Sequence, residues 1–76
     1  MKHKQPKLVD RLAMGEFVNG AAPVTLDGDI IATLYRTPGW IEAEVMGEPY
    51  GGGKNYTTAL RSVAVGYQEL TGQWEA

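Results

Sequence analysis

The regular alternation of residues 40–46, which read WIEAEVM, constrains the fold more than any other feature of the sequence. Alternation of apolar and polar residues with a period of two predicts a β-strand with one buried face and one exposed face. The turn signal Thr37-Pro38-Gly39 precedes this segment, and residues 30–36 before the turn are rich in β-branched and aromatic side chains. The two segments are therefore predicted to pair as an antiparallel hairpin.

A loop of residues 37–40 sets the register of this hairpin, because residues opposite one another share a face of the sheet. The predicted core face carries apolar residues of both strands: Ile30, Ala32, Leu34, Ile41, Ala43 and Val45. The opposite face carries a mixture of apolar, aromatic and acidic residues: Ile31, Thr33, Tyr35, Glu42, Glu44 and Met46. A loop one residue shorter would bury Glu42 opposite Leu34, which an isolated carboxylate resists.

An earlier hairpin has two possible registers. Residues 24–26 lead into Asp27-Gly28-Asp29, a strong turn signal. A two-residue turn at Asp27 and Gly28 points Val24 and Leu26 away from the core face, whereas a three-residue loop points them toward it. Both registers stay open at the level of the sequence.

Helical patterns flank the strands. Apolar residues at helical spacing predict a short helix over residues 6–14, and a longer helix is predicted from the N-cap Asn55 to a stop at Gly72. The apolar stripe of the long helix contains Tyr56, Leu60, Val63, Tyr67 and Leu70. The glycine-rich residues 47–54 are predicted to form a mobile loop. The expected fold is α+β, with a short N-terminal helix, a three-stranded antiparallel sheet and the long amphipathic C-terminal helix packed on one sheet face.

The length of 76 residues limits the chain to one small domain. We expect a basic arm at residues 1–5, one α+β domain at residues 6–72 and a tail at residues 73–76. The sequence has no cysteine, which excludes disulfides and thiolate metal sites and fits a reducing compartment. It also lacks an apolar run long enough for a membrane helix and a signal-peptide core. A soluble cytoplasmic protein is therefore expected.

Charge is distributed unevenly along the chain. Residues 1–11 contain four basic residues and one acidic residue, a net charge of +3, whereas residues 12–76 contain three basic and eight acidic residues, a net charge of −5. Nucleic-acid binders usually present a basic stripe on the folded surface, because neutralised phosphates supply most of their affinity. The acidic body argues against nucleic acid as the partner and favours a protein with a basic surface.

The sequence lacks the residues that most enzyme mechanisms require. The single serine, Ser62, lies in a predicted helix and the single histidine, His3, lies in the arm, so no nucleophilic triad can be assembled and no metal site is expected. Glu42 and Glu44 would lie about 7 Å apart on one strand face, which is within the range for a pair of glycosidase carboxylates. Because no deep substrate cleft fits in so small a domain, we interpret them as the solvated face of an amphipathic strand. The glycines before Lys54 do not have the spacing of a phosphate-binding loop. We predict a non-enzymatic protein without a cofactor.

Aromatic residues lie beside acidic residues in the middle of the sequence, a combination suited to protein contacts. Base stacking, by contrast, needs basic surroundings. The predicted partner-binding residues are Tyr35, Trp40, Glu42, Glu44, Glu48, Tyr50, Asp27 and Asp29.

The order helix, three strands, helix resembles the double-stranded-RNA-binding domain. The segment Gly51-Gly52-Gly53-Lys54, followed by Ala59, Ala64 and Leu70, is loosely similar to the last strand and final helix of that family. The resemblance implies an RNA-binding module as an alternative function. Where that family has a cluster of lysines at the start of the final helix, this chain has only Lys54.

A second resemblance depends on no motif and concerns only size, charge, composition and fold class. A very small, acidic, cysteine-free α+β chain looks like many phage-encoded accessory proteins, among them anti-CRISPR proteins and other inhibitors of host enzymes. This resemblance implies a protein that occupies the nucleic-acid-binding surface of a host protein. A third alternative is a small structural or assembly subunit, a homodimer formed through Ile31 and Met46 on the second sheet face.

Overall fold

A computed structural model of the chain describes residues 7–73. Within them, five antiparallel strands form one meander in which each strand pairs with the next in sequence. The elements are α1 (Leu8–Arg11), β1 (Leu12–Met14), β2 (Ala21–Leu26), β3 (Asp29–Thr37), β4 (Trp40–Val45), β5 (Glu48–Gly53) and α2 (Tyr56–Thr71). The predicted arm at residues 1–5 and the last part of the tail lie outside the described residues. The fold is α+β, but the prediction of a three-stranded sheet is wrong, because β1 and β5 were not expected.

The glycine-rich segment is a strand and not the predicted mobile loop. A turn at Met46 and Gly47, with φ of 51° and 85°, closes the β4–β5 hairpin in the left-handed conformation that two-residue hairpin loops favour. A Cβ at Gly52 would lie 1.8 Å from the carbonyl oxygen of Ile41, and one at Gly53 would lie 2.7 Å from the backbone nitrogen of Ala59. Glycines therefore allow β5 to fit between β4 and the start of α2.

The first helix is much shorter than predicted. It spans only Leu8–Arg11, and the chain then becomes extended, with a ψ of 139° at Leu12. Leu12, Ala13 and Met14 pair with β2 instead of completing a helix. Pairing satisfies the outer backbone groups of β2, and Leu8 still reaches the core, where it is 7% exposed. Residues 12–14 thus add a strand at the edge of the sheet.

The β2–β3 hairpin combines the two registers that the sequence left open. Its loop has two residues, with φ of 52° at Asp27 and 93° at Gly28. The register then shifts, since Thr25 pairs with Ile30 and Val24 pairs with Ala32, which leaves Ile31 as the extra residue of a β-bulge. The bulge keeps three apolar residues in the core despite the short loop: Val24, Leu26 and Ile31.

The bulge also reverses two predicted positions. Ile31 is buried and belongs to the core, whereas Ile30 is 70% exposed, so the prediction that Ile30 lies on the core face is wrong. Beyond the bulge, the predicted β3–β4 register is confirmed, because Arg36 pairs with Ile41. The loop itself is shorter than expected: Thr37 and Trp40 still pair, and only two residues turn the chain.

Helix α2 begins and ends where the sequence predicts. The side chain of Asn55 accepts a hydrogen bond from the Thr58 backbone nitrogen at 2.9 Å, and Gly72 ends the helix at a φ of 71°. Its buried face consists mostly of small residues: Ala59, Val63, Ala64, Gly66 and Gln68. Tyr56 and Leu70 from the predicted stripe are each 40% exposed. Small side chains let the helix lie close to the sheet.

Candidate functional site

The sheet has one face that α2 covers and one that it leaves exposed. Along β3 and β4, buried residues alternate with residues that point away from the helix. We call the uncovered surface the open face and define it by Pro23, Thr33, Tyr35, Thr37, Trp40, Glu42 and Glu44. The open face contains four of the predicted partner-binding residues.

Aromatic and acidic side chains are interleaved on the open face. Tyr35 pairs with Glu42 across β3 and β4, and Trp40 lies at the start of β4. The hydroxyl of Tyr35 donates a hydrogen bond to Oε1 of Glu44 at 3.4 Å. Tyr35 is 39% exposed and Trp40 is 37% exposed, so both rings present apolar surface to solvent. The register thus brings together the central residues of the predicted site.

The open face carries negative charge that no cation in the described part of the chain neutralises. Its ionisable acids are Glu42 and Glu44, and no lysine or arginine is among its members. Among the described residues, the one ion pair within 4 Å joins Arg11 to Asp27 at the β2–β3 turn. Glu42 and Glu44 therefore have their charges available to a partner molecule.

Three other predicted residues lie at one end of the sheet. Asp27 lies in the β2–β3 turn, Asp29 begins β3 directly after it, and Glu48 begins β5 after the β4–β5 turn. In an antiparallel meander these two turns are at the same end. The structure therefore places these acids beside the open face and not within it, and Asp27 already contacts Arg11.

Tyr50 lies on the opposite side of the sheet from Tyr35 and Trp40. Its ring packs against α2 at Gly66, where an added Cβ would lie 2.7 Å from the ring. Burial raises the pKa of the Tyr50 hydroxyl, and a hydrogen bond to Glu69 and the charges of Glu69 and Glu48 raise it further. The structure does not bring Tyr50 together with the other predicted aromatic residues, because it faces α2 from β5.

A cleft that the sequence did not predict lies beside Glu44. The cleft has a volume of about 150 Å³ and is lined by Ile30, Ile31, Ala32, Thr33, Glu44, Met46 and Gly47. Ile30 and Met46 are 70% and 57% exposed. The expected dimer contact through Ile31 has to be corrected, because Ile31 is buried and Ile30 occupies the exposed position. The sequence did contain a signal for this bulge, because the strong two-residue turn of the first hairpin conflicted with the burial of Val24 and Leu26.

A second unpredicted cluster contains an arginine on the helix-covered side. The Cζ of Arg36 lies 4.2 Å from the centroid of the Phe17 ring, and its Nη2 donates a hydrogen bond to the Tyr56 hydroxyl at 3.0 Å. The rings of Phe17 and Tyr56 are 5.8 Å apart. Two aromatic residues therefore hold this guanidinium in place, near the end of β3.

Other reactive groups in residues 7–73 have structural contacts. Ser62 donates its hydroxyl proton to the carbonyl oxygen of Gly52 at 2.8 Å, which ties α2 to β5. No group of three histidine, cysteine or carboxylate residues in this part of the chain could hold a metal ion. His3, the single histidine, for which no metal or catalytic role is expected, lies outside the described residues. Neither helix of the described chain is long and apolar enough to span a bilayer.

Comparisons with protein-family models, curated proteins and solved structures give no match to this chain. Residue roles can therefore be inferred only from the geometry. The helix, three strands, helix order behind the resemblance to double-stranded-RNA-binding domains differs from the five-stranded order in the structure.

Proposed function

We propose that this chain is a non-enzymatic binding module that uses its open face to occupy a basic, nucleic-acid-binding surface of another protein. A small inhibitor of the anti-CRISPR type would act in this way. The observation that carries the proposal is the position of Glu42 and Glu44 beside Tyr35 and Trp40, on a face that α2 leaves uncovered and where no cation of residues 7–73 pairs with them.

The chemistry of the open face complements that of a phosphate-binding surface. Carboxylates, like phosphates, accept charge-assisted hydrogen bonds from arginine and lysine. Negative charge on the body accelerates the encounter with a basic surface, and exposed aromatic rings supply contact area at the centre of an interface. Such a face can compete with nucleic acid for the same basic residues. The absence of cysteine fits the cytoplasm as the proposed compartment.

The experiment is capture of partners from a lysate on immobilised protein, with two charge-reversed variants. In E42K/E44K the open face becomes basic. In D10K/E16K the net charge changes by the same amount at exposed positions outside the open face. Basic nucleic-acid-binding proteins should be retained by the wild type and by D10K/E16K but not by E42K/E44K. Their bound nucleic acid should be displaced in proportion to the amount of this chain added. Equal capture by both variants would contradict the proposal.

The Arg36 cluster favours a second candidate, a nucleic-acid-binding module. Within the described residues, Arg36, Lys54 and Arg61 have no carboxylate within ion-pair distance, and Arg36 is held by aromatic side chains. A mobility-shift assay with duplex RNA at low and moderate salt tests it. If this candidate is correct, the chain forms a complex with duplex RNA, and R36Q and deletion of residues 1–5 each weaken that complex. The absence of a complex near physiological salt would exclude it.

A further inference from the structure

The cleft beside Glu44 arises where the regular spacing of β3 is interrupted. In a regular strand, side chains on one face recur at every second residue. The bulge turns Ile31 into the core, so the neighbouring exposed side chains on β3, Thr33 and Ile30, are three residues apart. Opposite Thr33, β4 supplies Glu44, and Met46 follows in the β4–β5 turn. The gap in the row of side chains is the cleft of about 150 Å³.

The walls of the cleft combine apolar surface with one carboxylate. Ile30 and Met46 supply exposed aliphatic and thioether surface at one end. Glu44 lies at the other end, half-buried, with Oε1 within 3.4 Å of the Tyr35 hydroxyl. No described cation pairs with Glu44. A ligand for this cleft therefore needs an apolar stem and a positively charged end.

We propose that the cleft receives an arginine side chain of the partner, an inference that rests on the proposed function of the open face. The methylene groups of arginine would lie against Ile30 and Met46, as long basic side chains do on apolar surfaces. The guanidinium would donate hydrogen bonds to Glu44 and stack on the exposed ring of Tyr35. Lysine fits less well, because its ammonium is strongly hydrated and has no planar surface for stacking.

The test is a methyl NMR titration of the full chain with three blocked amino acids as probes. N-acetyl-arginine amide carries both parts of the proposed ligand, N-acetyl-lysine amide carries a different cation, and N-acetyl-norleucine amide carries an apolar stem without charge. We expect arginine to shift the methyl signals of Ile30 and Met46 and to leave the core signal of Val63 unchanged. Its Kd should be at least about threefold lower than those of the other two probes.

Two isosteric variants identify the carboxylate involved. E44Q should raise the Kd for N-acetyl-arginine amide by at least about threefold, in the range of an exposed ion pair. E42Q, two residues away on the same strand face, should raise it by less than about twofold. An unchanged Val63 signal in each variant shows that the core is intact. Equal binding of norleucine and arginine, equal effects of the two variants, or no shift at Ile30 and Met46 would overturn the assignment.

The outcomes separate this inference from the proposed function. If arginine leaves the cleft signals unchanged while E42K/E44K still abolishes partner capture, the open face binds its partner through another contact and only the cleft assignment is wrong. If arginine binds in the cleft but E42K/E44K captures the same proteins as the wild type, the chemistry of the cleft is correct and the proposed function is wrong.

Discussion

The ring of Tyr50 lies directly against the backbone of Gly66, where β5 packs on α2. A Cβ at position 66 would come within 2.7 Å of the Tyr50 ring. Gly66 is therefore a packing requirement, even though glycine inside a helix costs about 1 kcal/mol relative to alanine.

Gly66→Ala should lower the free energy of unfolding. The gain in helix propensity, about 1 kcal/mol, opposes an overpacking cost of about 1–3 kcal/mol. The net effect should be a loss of about 1 kcal/mol, measured by urea denaturation. In a Tyr50→Ala background the ring is gone, and the same substitution should become stabilising. A stabilising effect of Gly66→Ala in the wild-type background would contradict the packing described for Tyr50.

Gly52→Ala should be the most damaging substitution on β5. The φ of 132° at Gly52 is rare for other residues, and a Cβ would lie 1.8 Å from the Ile41 carbonyl oxygen, which is part of the backbone and cannot rotate away. We expect a loss of at least about 3 kcal/mol or failure to fold.

Gly51→Asn is the matched control for that substitution. Gly51 also has a positive φ, 73°, but its Cβ position is open, and asparagine tolerates the left-handed region. We expect a loss of no more than about 1 kcal/mol by urea denaturation. Similar losses for the two variants would show that β5 does not pack against β4 as described.

The Tyr50 hydroxyl should make stability depend on alkaline pH. Its pKa is raised above the ordinary value of 10.0 in the folded protein, so the unfolded chain loses this proton first. The contribution of Tyr50 is therefore fully present below about pH 10 and is lost as the pH rises through the folded pKa. Tyr50→Phe should lose less stability than the wild type between about pH 9 and pH 11, by urea denaturation. Tyr56→Phe is the control, and an identical pH profile for Tyr50→Phe and the wild type would contradict the raised pKa.

Local sequence signals were sufficient for the β3–β4 hairpin and for α2. The alternation of residues 40–46 requires one buried face, and a carboxylate at position 42 excludes the neighbouring register. Asn55 and Gly72 act through hydrogen bonds and backbone conformation within a few residues of the helix ends. Such signals do not depend on distant parts of the chain.

The missed elements depend on contacts between distant residues. Gly51, Gly52 and Gly53 have the composition of a flexible loop, and only the close approach of β4 and α2 shows why they form a strand. The bulge at Ile31 resolves a conflict between a two-residue loop and the burial of Val24, which pairing rules alone leave open. Longer-range packing decides both cases.

The part of the candidate site that local pairing determines was predictable, and the part that depends on distant contacts was not. Tyr35, Trp40, Glu42 and Glu44 come together because they belong to two strands joined by a tight turn. The position of Tyr50 requires the register of β5, so its place against α2 could not be predicted. Met46 was predicted to lie on the exposed side, but Ile30 became part of the surface only through the bulge at Ile31.

The central claim is that the open face carries the binding, and the association rate of the captured partner tests it most directly. The rate should be measured at about 50 mM and about 200 mM salt for the wild type, E42K/E44K and D10K/E16K. We predict that E42K/E44K slows association by roughly tenfold or more at low salt and reduces its salt dependence, whereas D10K/E16K has a much smaller effect. Equal slowing by the two variants would show that net charge, and not the open face, determines binding, and would contradict the account.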